Sequence, residues 1–271
     1  MRDLIKKAIF SVLPPLFTSM VKRILPGGWS GDYKSWEDAE LHTTGYDDEV
    51  ILNRVHESLL KVKSGVIKYE RDSVLFDEIQ YSWPLLAGMM MAAGLCKGKI
   101  SVLDFGGSLG STYFQNKKFL DYFNNVAWCI VEQQNFVNIG KEDFEDGRMK
   151  FYSSVELCLL EHSINILVLS SVLEYIKSPY ELLSRIIPKI NADFIIIDRT
   201  PFIEGVDRIA VQTVPASIYR ASYPCHLFNQ ENMDDFIISQ GYTLLEEFES
   251  TNDGNYDKIQ FLGLIYIKND I

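Results

Sequence analysis

Asp104, Gly106, Gly107, Ser108 and Gly110 fall within seven positions, directly behind the apolar run that begins at Ile100. A carboxylate followed by a glycine-rich turn brings backbone N–H groups close to a bound cofactor. Two kinds of cofactor loop are excluded by spacing. A dinucleotide fingerprint, G-x-G-x-x-G, would start at Gly106 and put Ser108 and Ser111 at its second and third glycines. A phosphate-cradling Walker loop needs Gly-Lys-Ser/Thr, but Gly110 is followed by Ser111 and Thr112. The remaining pattern is acidic-x-G-x-G-x-G, in which Asp104, Gly106 and Gly110 match and Ser108 takes the middle position. Glu132 ends the next apolar run 22 residues beyond Gly110. A carboxylate there can accept both hydroxyls of a ribose.

Such residues need a scaffold, and the flanking chain supplies one. Apolar runs at 99–105, 125–132, 149–152, 163–171 and 193–199 alternate with helical spacing over 112–123, 134–145 and 179–190. Near-continuous apolar strands separated by amphipathic helices predict a mostly parallel sheet covered on both faces. A helix begins at Ser82 with Pro84 in its first turn, and another is capped by Asn229 and ends at Gly241. Two closing strands, 243–249 and 261–267, are joined by a turn too short for a crossover. The expected organisation is an amphipathic segment at 1–25, a loop and helical cap region at 26–81, and an α/β domain at 82–271.

Charge narrows the partners. The 271 residues carry a net charge of −11, which excludes a nucleic-acid backbone as ligand and suits a cationic or neutral one. Residues 1–25 run against this trend at +4, with apolar side chains on one helical face and a break at Pro14–Pro15. Two readings stand for this stripe, packing on the protein's own body or contact with an anionic membrane surface. It is too interrupted to span a bilayer and lacks the apolar core of a signal peptide. Cys96, Cys129, Cys158 and Cys225 form no CxxC pair, which points to a reduced, cytoplasmic protein. No His/Asp/Glu cluster has metal-ligand spacing.

The acidic glycine turn, Glu132 and the segment Ile166–Leu183 ("ILVLSSVLEYIKSPYELL") together resemble class I S-adenosylmethionine-dependent methyltransferases over roughly residues 82–270. The stretches "GDYKSWEDAELHTTGYDD", "VEQQNFVNIG", "IIIDRTPF" and "ASYPCHLF" further resemble a bacterial methyltransferase family encoded among O-antigen and other surface-polysaccharide genes. The resemblance implies a Rossmann-like α/β fold with seven strands, the last inserted antiparallel. It implies S-adenosyl-L-methionine as cofactor and a sugar or lipid-linked glycan as substrate.

The implied roles follow residue by residue. Asp104 lies near the cofactor's ammonium, Gly106, Gly107, Ser108 and Gly110 shape the turn, and Glu132 holds the ribose. Tyr152 and Ser153 border the adenine, and Ser170 and Ser171 floor the methyl-transfer site. Transfer to a hydroxyl calls for a general base. His226, in "YPCHLF", suits neutral pH, with Asp198 and Glu174 competing for that role. Arg199, Arg208 and Tyr223 are substrate-binding candidates, the two arginines for an acidic sugar or phosphate unless they pair with Glu204 and Asp207. Trp29, Tyr33, Trp36 and Tyr46 stand in a loop able to stack on a sugar. The alternative function is a catalytically silent methyltransferase-like scaffold in a glycan-assembly complex, a possibility raised by Ser108.

Overall fold

The computed structural model describes residues 28–45, 48–214, 221–250 and 258–270. The amphipathic segment 1–25 and Tyr46 lie outside the described residues.

The chain runs β1 (Gly28–Tyr33), α1 (Trp36–Glu40), α2 (Asp48–Lys63), β2 (Tyr69–Arg71), β3 (Val74–Phe76), α3 (Trp83–Leu95) and β4 (Lys99–Phe105). It continues through α4 (Ser111–Leu120), β5 (Asn125–Val131), α5 (Gln134–Ile139), a π-helical turn Gly140–Phe144, β6 (Met149–Tyr152), α6 (Val155–Glu161) and β7 (Ile166–Ser170). A 3₁₀ turn Leu173–Tyr175 then leads to α7 (Pro179–Ile190), β8 (Phe194–Ile203), β9 (Arg208–Thr213), β10 (Ser222–Asn229), α8 (Gln230–Ser239), β11 (Tyr242–Glu249) and β12 (Gln260–Lys268).

The main sheet has the order β6–β5–β4–β7–β8–β12–β11. Its first five strands are parallel, and β12 pairs antiparallel with both β8 and β11. The apolar runs explain the parallel part. β4, β5, β7 and β8 bury almost every side chain because each face carries helices. One core layer joins these strands to α2, α3 and α4 through Leu59, Met89 and Tyr113, around the buried indole of Trp128. The other joins them to α6, α7 and α8 through Cys158, Leu183 and Met233. The strand order reverses between β4 and β7, so a crevice opens at their carboxyl ends, where open α/β sheets bind ligands.

Local chemistry sets the element ends as expected at several points. Ser82 precedes α3 with Pro84 in its first turn, and the Asn229 side chain accepts from the Asn232 N–H at 3.0 Å to start α8. The α6 helix was not foreseen, although Ser154 caps it by accepting from the Leu157 N–H at 3.2 Å.

The largest departure is a second sheet, β10–β9–β1, that branches from β8 and is continuous with the main one. Strand β8 runs on to Ile203, past the expected end at Arg199, and its tail pairs with β10 at Phe202↔Phe228 and Ile203↔Asn229. Strand β10 pairs antiparallel with β9, and β9 with β1. The stretch expected as an aromatic loop at 26–48 therefore contributes an edge strand and the short helix α1. "YPCHLF", expected as a cover segment after the fifth strand, is itself part of strand β10.

Candidate active site

The glycine turn leaves β4 at its carboxyl end and delivers α4, whose first residue follows Gly110. Gly106 adopts φ +70°, and a Cβ there would sit 2.3 Å from Val172 Cγ2. A Cβ at Gly107 would come within 2.5 Å of the Asp104 carboxyl group, so this turn closes only over glycine. Ser108 occupies the middle position in the left-handed region at φ +54°. The backbone shape of the missing glycine is thus kept by a serine, at a cost of about 1 kcal/mol. Gly110 does not face the crevice but packs on Met149 of β6.

The turn borders a cavity of about 940 Å³ along the carboxyl edge of the sheet. Following the sheet order, its wall runs from Ser153 after β6, through Glu132 and Asp104, to Ser170 and Asp198, and on to Gln212, Tyr223 and Trp29 of the second sheet.

Asp104 is fully buried. Trp128 Nε1–H donates to its Oδ2 at 3.1 Å, while Oδ1 has no hydrogen-bond partner among the described residues. Burial, with a smaller contribution from the Glu132 charge, pushes its carboxyl up to about 7. Glu132 accepts from the Gln133 N–H at 2.7 Å and the Ser108 N–H at 3.3 Å, and burial raises its proton affinity against these two bonds. An unpartnered buried carboxylate oxygen normally signals a missing partner. These two carboxylates and the tight turn fit S-adenosylmethionine, which brings an ammonium, a sulfonium and a ribose diol but no phosphate.

Other expected site residues divide between the cavity and the body. Ser153, Ser170, Ser171, Asp198, Arg199 and Tyr223 line the cavity. Asp198 is buried, with Oδ1 accepting from Ser250 Oγ at 2.6 Å and the Arg199 N–H at 2.9 Å, and burial raises its carboxyl. Tyr152 does not line the cavity. Its hydroxyl donates to Glu161 Oε2 at 2.8 Å and lies 2.9 Å from His162 Nε2. Glu174 is buried outside the cavity wall, where it accepts from Ser171 Oγ at 2.9 Å and fixes the end of β7.

His226 does not line the cavity. Three positions after cavity-facing Tyr223, it points to the opposite face of β10. There it stacks between Trp36 and Phe228 at ring distances of 5.0 and 5.7 Å, with Nε2 3.2 Å from the Lys177 carbonyl oxygen. Burial lowers its pKa. Arg208 is likewise off the cavity, and among the described residues it forms no ion pair with Glu204 or Asp207. Arg199, at φ +54°, does reach the cavity but forms an ion pair with Asp72.

Asp72 belongs to the site's unforeseen member, the β2–β3 hairpin. Its turn residues Asp72 and Ser73 both have positive φ, +51° and +66°, the backbone of a two-residue type I′ turn. The hairpin buries Glu70 against the start of α4, where Ser111 Oγ donates to Oε1 and the Ser73 N–H donates to Oε2 at 3.1 Å. Burial pushes Glu70 up to about 7. The signal was the run "YERDSVLF", two short β-prone segments around Asp-Ser.

The strand order 3-2-1-4-5-7-6, counted along the parallel domain, with a glycine turn after its first strand, is that of the class I methyltransferase fold. No family model and no curated protein matches the chain. Among solved structures it is similar to the N-terminal domain of EvdMO1, obtained in the presence of SAH and D-fucose. Identity is 12%, 82% of this chain and 97% of that one are covered, and the TM-score is 0.50. A SAM-dependent methyltransferase from Methanosarcina mazei aligns at 12% identity over 70% of this chain and 99% of that one, with a TM-score of 0.48. The glycopeptide N-methyltransferase MtfA complexed with SAH aligns at 10% identity over 67% and 87%, with a TM-score of 0.45.

Among the described residues no group of three or more His, Cys, Asp or Glu side chains is placed to hold a metal ion, and no helix is long and apolar enough to cross a membrane.

Proposed function

We propose that this chain is an S-adenosylmethionine-dependent methyltransferase that methylates a hydroxyl of a sugar or lipid-linked glycan intermediate in surface-polysaccharide assembly. The observation that carries the cofactor reading is the buried Asp104 carboxylate, with one oxygen unpartnered, beside Glu132 at the next strand end. Ser108 motivates the silent-scaffold alternative, yet its backbone keeps the left-handed turn and its N–H reaches Glu132. The glycan reading is supported by the resemblance of four sequence stretches to the polysaccharide-linked family. It is also supported by the aromatic side chains on the cavity wall, Trp29, Trp36 and Tyr223, which can pack on a sugar ring.

Asp104 would hold the ammonium, Glu132 the ribose hydroxyls, and Ser153 the rim beside the base. When bound, the cofactor would supply an electrophilic methyl carbon on a cationic sulfur to an acceptor oxygen held on the cavity wall. The hydroxyl proton needs an acceptor. Asp198 is the expected base that lies on the cavity wall, opposite Ser170 in the β7–β8 register, and its burial raises its affinity for a proton. The cationic stripe at 1–25 would hold the enzyme at the cytoplasmic membrane face, where lipid-linked glycans are built.

Incubation with methyl-labelled S-adenosylmethionine and lipid-linked or nucleotide-linked sugar fractions tests this reading. Label in a sugar methyl ether supports it; bound cofactor without turnover on any fraction favours the scaffold.

A further inference from the structure

The second sheet builds a wall that the nucleotide side of the cavity does not need. Its register sets Trp29 of β1 opposite Gln212 of β9, and Gln212 opposite Tyr223 of β10. Residues directly opposite in adjacent strands share a face. Three side chains from distant parts of the chain therefore form one cross-strand row, and all three line the cavity.

The row is fixed from both sides. Tyr175, on the turn after β7, meets Tyr223 edge-on at 5.2 Å, and its hydroxyl donates to Gln212 Oε1 at 2.9 Å. That bond turns the amide so that its nitrogen is the donating end. Trp29 packs on Phe261 at 5.5 Å. The row lies past the carboxyl end of β7, on the edge of β8 that also pairs with β7, because β12 takes the other edge.

Charge decides what can sit there. The cavity lining contains seven carboxylates and three guanidinium groups and no lysine. Arg199 is committed to Asp72, and Arg208 lies off the wall. None of Trp29, Gln212, Tyr223 and Tyr175 is cationic, so a phosphate or carboxylate would meet no counter-charge on the row, while aromatic faces pack well against the C–H face of a saturated ring.

We propose that Trp29, Gln212 and Tyr223, closed by Tyr175, form the acceptor subsite and that it takes an uncharged pyranose ring, stacked on the aromatic side chains with one hydroxyl on the Gln212 amide. This inference rests on the methyltransferase reading, which supplies a methyl donor next to the subsite.

Saturation-transfer NMR on the full chain with SAH tests it, using methyl α-D-mannopyranoside, methyl α-L-rhamnopyranoside, glucuronate and 4-methylcatechol as probes. Ring C–H signals from a neutral pyranoside are expected, with none from glucuronate. Gln212→Leu and Trp29→Ala should each cut them at least about fivefold while SAH affinity stays unchanged. If Trp29→Ala fails to fold, Gln212→Leu, which keeps the side-chain volume, decides alone. No pyranoside signal, a stronger glucuronate or catechol signal, or indifference to Gln212→Leu overturns the subsite and leaves the cofactor reading standing if SAH binds. Pyranoside signals without SAH binding would support the subsite and contradict the methyltransferase reading.

Discussion

The backbone N–H of Ser108 donates to Glu132 Oε1 at 3.3 Å, tying the glycine turn after β4 to the end of β5. Ser108 presents that N–H because its φ of +54° turns the backbone as glycine would. The same carboxylate is held on its other oxygen by the Gln133 N–H. Two strand ends are thus locked into one ligand-facing edge by a residue that departs from the glycine pattern.

Ser108→Gly should leave SAH affinity within about twofold, since the turn already has the shape glycine prefers. Ser108→Val should weaken SAH at least tenfold and cost about 2 kcal/mol in stability, because a β-branched residue at positive φ is strongly disfavoured. Calorimetry and thermal melts on the two variants check this.

Asp104 gives a pH dependence with a definite sign. Its carboxyl, near 7 in the folded protein against about 3.9 in an unfolded chain, makes its contribution to the free protein's stability greatest at low pH. That contribution is lost as pH rises through about 7, and Glu70 acts in the same direction. A bound ammonium favours the ionised carboxylate, so the SAH-induced rise in Tm should be larger near pH 8 than near pH 6. Asp104→Asn should abolish the difference; a rise that is independent of pH in the unaltered protein argues against the ammonium contact.

Asp198 and His226 separate cleanly by variant. Asp198→Asn should lower kcat by about 10² to 10⁴ with SAH affinity preserved, as removal of a general base does. His226→Ala should leave the pH profile of kcat intact and cost about 1 kcal/mol from the lost stacking on Trp36 and Phe228. Steady-state kinetics across pH on both variants gives the answer.

The Arg199–Asp72 ion pair pins the hairpin tip to the middle of β8. Asp72 is 60% exposed, so Asp72→Ala should cost well under about 1 kcal/mol of global stability. Hydrogen exchange at residues 69–76 should nonetheless speed up, and SAH should bind several-fold more weakly as Glu70 loosens from Ser111. Unchanged exchange in the hairpin would show that the pair does not hold it.

Much of the fold could be read from residue order. The buried strands β4, β5, β7 and β8 announce themselves as apolar runs, and Ser82 and Asn229 mark their helices. Asp104, Glu132 and Asp198 were legible because each ends such a run at the ligand edge. The second sheet was not. Strands β1 and β9 carry mixed polar and apolar residues with only partial burial, and their pairing joins segments about 180 positions apart in the chain. Once "YPCHLF" is a strand, alternation puts Tyr223 and His226 on opposite faces of β10, which no local signal in the segment reveals. Tyr152 went wrong for a similar reason, since its hydroxyl is held by Glu161 and His162 of the following helix and its cap.

Calorimetric titration of SAH into the full chain near pH 8 decides whether Asp104 and Glu132 hold the cofactor. One-to-one binding is expected, and Asp104→Asn and Glu132→Ala should each weaken it at least tenfold. Absence of binding at about 1 mM SAH, or binding that both substitutions leave untouched, would contradict it.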